Sequence, residues 1–183
     1  MEKLERLVNQ YPILFRSFRD QENYPCVFAS YGFQCGDGWY DILDLACEKV
    51  ERELEAVIAG FDILKNLSWL DRRLQRIEFE IIEDGIFTGV SEPDPEPLLP
   101  FVSQIKEKFG RLCLHIRPGI AVPLDGLSWK RIREYVNTAE IESGATCETC
   151  GADGILRQDG WHRVTCPKCE GKYRKRKSEA DHA

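Results

Sequence analysis

Cys147-Glu-Thr-Cys150 and Cys166-Pro-Lys-Cys169 stand fifteen residues apart toward the carboxyl end of the chain. Each short pair can fold into one tight knuckle, and the intervening segment is long enough for a hairpin that brings the two knuckles together around a tetrahedral Zn2+. The spacing predicts a structural zinc ribbon over residues 145–171, with Cys147, Cys150, Cys166 and Cys169 as the ligands. Gly151 and Gly171 follow the pairs, where a backbone without Cβ lets amides turn back toward thiolate sulfurs. Two disulfides are the main alternative and need an oxidising compartment, whereas Met1-Glu-Lys-Leu-Glu-Arg-Leu7 lacks the apolar centre of a secretory signal. A redox Cys-x-x-Cys usually occurs singly beside a βαβ pattern, and an iron–sulfur site is the remaining alternative. Four thiolates leave no open position for water, which argues against catalytic zinc. With four thiolates at hand, His162 reads as a hairpin side chain rather than a substitute ligand.

The chain has 183 residues, enough for one medium domain with an appendage, or for two small domains. No apolar run approaches the roughly 20 residues of a membrane span, so an intracellular, soluble protein is expected. Of eight cysteines, Cys26, Cys35, Cys47 and Cys113 are scattered and read as small core hydrophobes. Asn66-Leu-Ser68 matches a glycosylation sequon that a cytosolic chain would not use. Charge is divided unevenly. Cys147–Ala183 carries eight Lys/Arg against six Asp/Glu, a balance of +2, which leaves −8 on the first 146 residues of a chain whose total is −6. An acidic body repels a phosphate backbone, so any nucleic-acid contact is expected on the ribbon and on Lys172-Tyr-Arg-Lys-Arg-Lys177. Residues 172–183 otherwise read as a basic, flexible tail.

In chain order, Leu4, Leu7, Val8 and Tyr11 recur at helical spacing and predict a short amphipathic helix halted by Pro12. Residues 16–33, rich in aromatics, read as irregular connection. After Gly36-Asp-Gly38, where Asp37 is placed to cap exposed amides, Ile42, Leu43, Ala46, Val50, Leu54, Val57 and Ile58 form a helical stripe from about Trp39 to Ala59, ending near Gly60. The opposite face carries Asp44, Glu48, Lys49, Glu51, Arg52, Glu53 and Glu55. Residues 61–76 fit a second helix, and Ile77, Phe79 and Ile81 alternate with Glu78 and Glu80 as a half-buried strand. Ser91-Glu-Pro-Asp-Pro-Glu-Pro-Leu-Leu-Pro100 reads as a stiff, extended spacer. Leu112, Leu114 and Ile116 predict a strand, and the segment before it fits either a helix capped by Gly110 or a partner strand turning at that glycine, of which the hairpin is preferred. Ser128 is expected to cap a helix whose Trp129, Ile132, Tyr135 and Val136 share a face. The fold class that follows is α+β: a small antiparallel sheet packed against helices over residues 1–144, with the zinc ribbon as a carboxyl-terminal lobe. Chelation is expected to unfold that lobe and spare the core.

Three landmarks occur in a definite order: Cys35-Gly-Asp-Gly-Trp39, Ile105-Lys-Glu-Lys-Phe-Gly-Arg-Leu112, and Cys147-Glu-Thr-Cys-Gly-Ala-Asp-Gly154 followed by Gly160-Trp161 and the second cysteine pair. This set resembles a family of small proteins encoded by bacteriophages and prophages, over roughly Gly36 to Cys169. The full second knuckle and basic tail depart from the looser endings of that family. The resemblance implies provenance and location, the cytoplasm of a bacterial host cell, and brings no catalytic residues.

Two classes of function follow, neither of them catalytic. The first is a zinc-binding accessory protein that acts by protein–protein contact on a host or defence-system protein, in the manner of an anti-CRISPR inhibitor; the acidic body, which would fit a basic groove, places it first. The alternative is a nucleic-acid-binding regulator using Arg157, Trp161, Arg163, Lys168, Lys172, Arg174, Lys175, Arg176 and Lys177, because cations meet phosphates and aromatics stack on bases. A catalytic reading would need Asp37, Asp41, His115 and the acids Glu78, Glu80, Glu83 and Asp84 to converge.

Overall fold

The computed structural model describes residues 2–20, 26–65, 99–117 and 126–180. Helix α1 (Glu2–Gln10) stops where expected, ahead of Pro12. Its Leu7 and Val8 are buried, and Tyr11 follows them into the core while its hydroxyl donates to Asp44 Oδ1 at 2.6 Å. Where connection was predicted, two short helices form, α2 (Arg16–Arg19) and α3 (Val27–Tyr31). The reason lies in partners distant in sequence. Arg16 donates to the Pro100 carbonyl at 2.9 Å, Ser17 Oγ to the Val102 carbonyl at 2.8 Å, and the Val102 amide to the Leu14 carbonyl at 3.0 Å.

A two-residue strand β1 (Phe33–Gln34) leads through a 3-10 turn (Asp37–Trp39) into α4 (Tyr40–Lys65). Trp39, Leu43, Ala46, Cys47, Val50 and Leu54 are its buried stripe. Two expectations are corrected here. The helix runs past Gly60, because an interior glycine costs only about 1 kcal/mol and does not by itself stop a helix. Glu51, expected on the solvent face, is buried: its two carboxylate oxygens accept the Ile13 and Leu14 amides at 2.9 and 2.8 Å, closing the chain behind α1.

The predicted hairpin is present as β2 (Phe101–Lys108) and β3 (Arg111–Arg117), turning at Phe109-Gly110. Strand β1 adds a parallel pairing to β2, with Phe33 opposite Ile105, so the small sheet is mixed and has the order β1-β2-β3. Ile105, Leu112 and Leu114 face the core. Helix α5 (Gly126–Ser143) lies along β3 and against α4, with Ile132 and Ala139 buried and Trp129, Tyr135 and Val136 packed beside them. It begins before Ser128, whose hydroxyl instead accepts from Arg131 at 3.1 Å. Arg131 grips Glu53 of α4 through two bonds of 2.7 and 2.8 Å. The remaining elements are β4 (Ile155–Arg157), β5 (Arg163–Thr165) and α6 (Pro167–Ala180).

The expected boundary at residue 171 falls inside α6, which carries the basic run to residue 180 as helix. Residues 66–98, which include the Asn66-Leu-Ser68 sequon, the expected strand at 77–81 and most of the proline-rich spacer, lie outside the described residues, as do 118–125 and 181–183. The architecture is α+β, and no helix among the described residues is long and apolar enough to cross a membrane.

Candidate metal centre

Helix α5 ends in a turn at Gly144-Ala145 that delivers Cys147 to the first knuckle. There the Cys147 carbonyl accepts the Cys150 and Gly151 amides at 3.3 and 2.8 Å, and the Cys147 amide donates to the Ala152 carbonyl. Strands β4 and β5 pair antiparallel, Ile155 opposite Thr165, and return the chain to the second knuckle. Cys166 precedes Pro167, the first residue of α6, so this pair is also a helix start. Proline suits the first helical position, and Cys166 Sγ accepts the Cys169 amide at 3.4 Å in the manner of a capping side chain.

The four sulfurs of Cys147, Cys150, Cys166 and Cys169 lie within 4.8 Å of one another. Cys150 and Cys166 are 3.7 Å apart, far beyond a disulfide bond of about 2.05 Å. Four thiolates held at about 2.3 Å from one tetrahedral ion sit about 3.8 Å apart. The donor set and the spacing therefore fit a metal ion and do not fit two disulfides. Burial opposes ionisation of Cys147, yet the backbone amides of Cys166, Thr149 and Cys150 bring its thiol down to about 7. The Cys169 amide lowers Cys166, and the α6 dipole works in the same direction. Cys169 is pushed the other way, first by Cys150 and then by its other sulfur neighbours.

The first knuckle is seated on the amino-terminal core by the Gly-Asp-Gly-Trp segment. Gly36 donates to Glu148 Oε1 at 3.0 Å, Gly38 donates to the Glu148 carbonyl at 2.8 Å, and Trp39 Nε1 donates to the Thr146 carbonyl at 2.8 Å. Glu148, from inside Cys-Glu-Thr-Cys, thus accepts the amides of both glycines. The approach is too close for any side chain on the two glycines. A Cβ on Gly38 would fall 2.2 Å from the Cys147 carbonyl oxygen and 2.6 Å from the Cys150 and Gly151 nitrogens, and one on Gly36 would fall 2.3 Å from the Glu148 carbonyl oxygen. Composition alone reads Gly-Asp-Gly as a helix start; only its pairing with a knuckle more than 100 residues away explains both glycines.

Behind the second knuckle, Glu170 of α6 collects Arg163 at 2.9 Å, Thr165 at 2.9 Å and Arg174 at 2.8 Å. Arg174 first, then Arg163 and Thr165 against the cost of burial, hold its carboxyl down at about 2. Asp159 adds a second anion to Arg163 at 3.0 Å, and the guanidinium lies 4.0 Å from the centroid of the Tyr173 ring. Of the expected nucleic-acid set, Arg163 is buried in this carboxylate clasp, Arg174 joins it while its side chain stays exposed, and Arg157 is half-buried with its Nε enclosed. Trp161, Lys168, Lys172, Lys175, Arg176 and Lys177 are exposed.

The catalytic alternative gathers no support among the described residues. Asp37 and Asp41 lie exposed at the start of α4, His115 stands on β3, and among the described residues the four cysteines form the one close group of three or more metal-ligating side chains. Glu78, Glu80, Glu83 and Asp84 lie outside the described residues. Of the scattered cysteines, Cys47 is fully buried and Cys26, Cys35 and Cys113 are partly so. Burial, then Glu148 and Asp37, push the Cys35 thiol up to about 12, which keeps this neighbour of the knuckle protonated. No protein-family model, curated protein or solved structure matches the chain.

Proposed function

We propose that the protein is a non-catalytic binding module in which Cys147, Cys150, Cys166 and Cys169 hold Zn2+ as a structural ion, and that the lobe built on this ion contacts nucleic acid. Zinc is favoured by an all-thiolate tetrad with tetrahedral spacing and no position left for water. The observation that carries the nucleic-acid reading is the division of labour on α6. Arg174 and Glu170 turn toward the hairpin, whereas Lys168, Lys172, Lys175 and Arg176 recur at i, i+4, i+7 and i+8 and form one exposed stripe, interrupted only by Glu179. Four phosphate contacts from such a stripe give a salt slope of about −3.6 on duplex DNA, or roughly a hundredfold loss of affinity between 50 and 200 mM salt.

Gel-shift titration of the zinc-loaded protein at those two salt concentrations tests this. Replacing the four basic residues by Gln is expected to abolish binding without releasing zinc. Binding that survives the replacement removes the helix from the interface. Metal analysis of purified protein is expected to return one zinc per chain.

A second reading, a phage-type accessory protein that engages a host or defence-system protein, is favoured by the outer face of α4. Asp41 is exposed there one turn before Leu45, which is 45 % exposed. Affinity purification from bacterial lysate, with Leu45→Asp as the control expected to lose the partner, separates this reading from the first.

A further inference from the structure

The β2–β3 hairpin carries a local reversal of charge. The first 146 residues total −8, yet residues 101–117 hold Lys106, Lys108, Arg111 and Arg117 against the single acid Glu107. Strand alternation sends Ile105, Leu112 and Leu114 into the core and leaves Lys106, Lys108, Arg111 and His115 on the opposite side, with Lys108 directly across from Arg111. Lys108, Arg111 and His115 are exposed, with Arg111 reaching beside Gly144 toward Glu140 at the end of α5. Burial, then Lys106 and Lys108, lower the His115 imidazole pKa, in keeping with one shared face.

At the tip of this face the turn departs from ordinary turn chemistry. Phe109 and Gly110 both have positive φ, 54° and 75°, the pattern of a two-residue hairpin turn whose first position favours Asn, Asp or Gly. A bulky aromatic in the left-handed region costs about 1 kcal/mol or more. It recovers no core burial in exchange, because Phe109 is 67 % exposed. The ring instead stands edge-on to His162 of the ribbon hairpin, centroids 5.9 Å apart, with Lys108 Nζ 5.5 Å from its own centroid. The next residue along the ribbon is Trp161, 73 % exposed. Leu156 of β4 sits against Gly110, so the tip and the ribbon hairpin are in contact. The result is an exposed Phe109 ring in contact with His162, with the exposed Trp161 adjoining it in sequence, beside a basic strand face.

Building on the nucleic-acid reading above, we propose that the exposed rings of Phe109 and Trp161, on either side of the turn-to-ribbon contact at His162, and the Lys106/Lys108/Arg111 face form a site for single-stranded nucleic acid, with unpaired bases stacking on Phe109 and Trp161 and the backbone following the basic strand face. The charge selects a polyanion over an acid-repelling body, and exposed flat rings select bases that are free to leave a stack, which a duplex does not offer.

Fluorescence anisotropy of the full-length, zinc-loaded protein with a labelled oligo-dT, and with the same strand annealed to oligo-dA, tests the proposal. Tighter binding to the single strand is expected, with quenching of tryptophan emission on saturation. Phe109→Ala and Trp161→Ala are each expected to weaken single-strand binding five- to a hundredfold and leave duplex binding unchanged. Phe109→Gly relieves the backbone conformation while deleting the ring; its stability should hold or rise while its single-strand affinity falls as far as that of Phe109→Ala, which separates a role in binding from a role in folding. Equal affinity for both forms, or ring variants that bind like the parent, overturns the stacking site and leaves the α6 stripe standing. No affinity for any oligonucleotide at 50 mM salt overturns both and turns the exposed Phe109 and Trp161 rings over to a protein partner.

Discussion

Gly38 and Glu148 are where the two ends of the described chain touch, and both contacts leave little slack. A methyl group on Gly38 meets three backbone atoms, which cannot rotate away as a flexible side chain would. Gly38→Ala is therefore expected to destabilise the zinc-loaded protein by about 1–3 kcal/mol or more and to accelerate zinc loss to a competing chelator. Equal stability in urea and equal zinc retention would sink the proposed seat. Glu51 makes a different test. Burial raises its carboxyl above the ordinary value despite the Ile13 and Leu14 amides that oppose the shift, so the native state binds this proton more tightly than the unfolded chain does. Its contribution is full below the ordinary glutamate value of about 4.3 and is lost as pH rises through the raised native one. Glu51→Gln, which leaves one amide without an acceptor, is expected to lose about 1–3 kcal/mol at the acid end. The gap to the parent should narrow as pH rises to about 7, because only the parent's carboxyl titrates. Urea denaturation across that range checks both size and slope; a gap that widens with pH contradicts the sign.

Among the elements, α6 depends on one carboxylate. Glu170→Ala strands Arg163 in a buried place with only the more exposed Asp159 to oppose it, and a broken buried pair costs about 3–5 kcal/mol. The expected outcome is a lower zinc affinity and a loss of far-UV helical signal from α6. An Arg163 variant should show the same folding defect, which makes it a poor probe of nucleic-acid contact, whereas Lys172 and Arg176 are clean ones. The sequence made some of these elements readable and hid others for a consistent reason. Pro12, the stripe from Leu43 to Leu54, the turn at Gly110 and the spacing of the four cysteines are local signals, and the structure carries each of them. The burial of Glu51, the helices at 16–19 and 27–31 and the seat for Glu148 depend on partners tens of residues away. No window of sequence contains both members of such a pair. The clasp around Glu170 is intermediate: Arg174 stands at i+4 on the same helix, whereas Arg163 reaches the carboxylate from β5.

For the whole molecule, the seat changes what metal removal should do. Sequence alone predicts a lobe that melts by itself, yet Trp39, wholly buried in the core, donates to the Thr146 carbonyl next to the first ligand. Chelation is therefore expected to disturb the start of α4 along with the ribbon. Hydrogen exchange should speed up at the Gly36 and Gly38 amides as well as at Gly151, since all three lose the rigid knuckle. Amide protection that collapses after residue 144 and stays intact at Gly36 and Gly38 would restore the picture of two independent lobes.

The 112 residues that separate Gly36 from Glu148 also set a clock. At about 5–20 residues per second, a ribosome leaves the turn ahead of α4 waiting roughly 6 to 22 s for the partner it is shaped to receive. Two side-chain-free positions and a tryptophan stay uncovered through that interval. Nascent chains halted before Cys147 should accordingly be the species that chaperones hold and proteases cut.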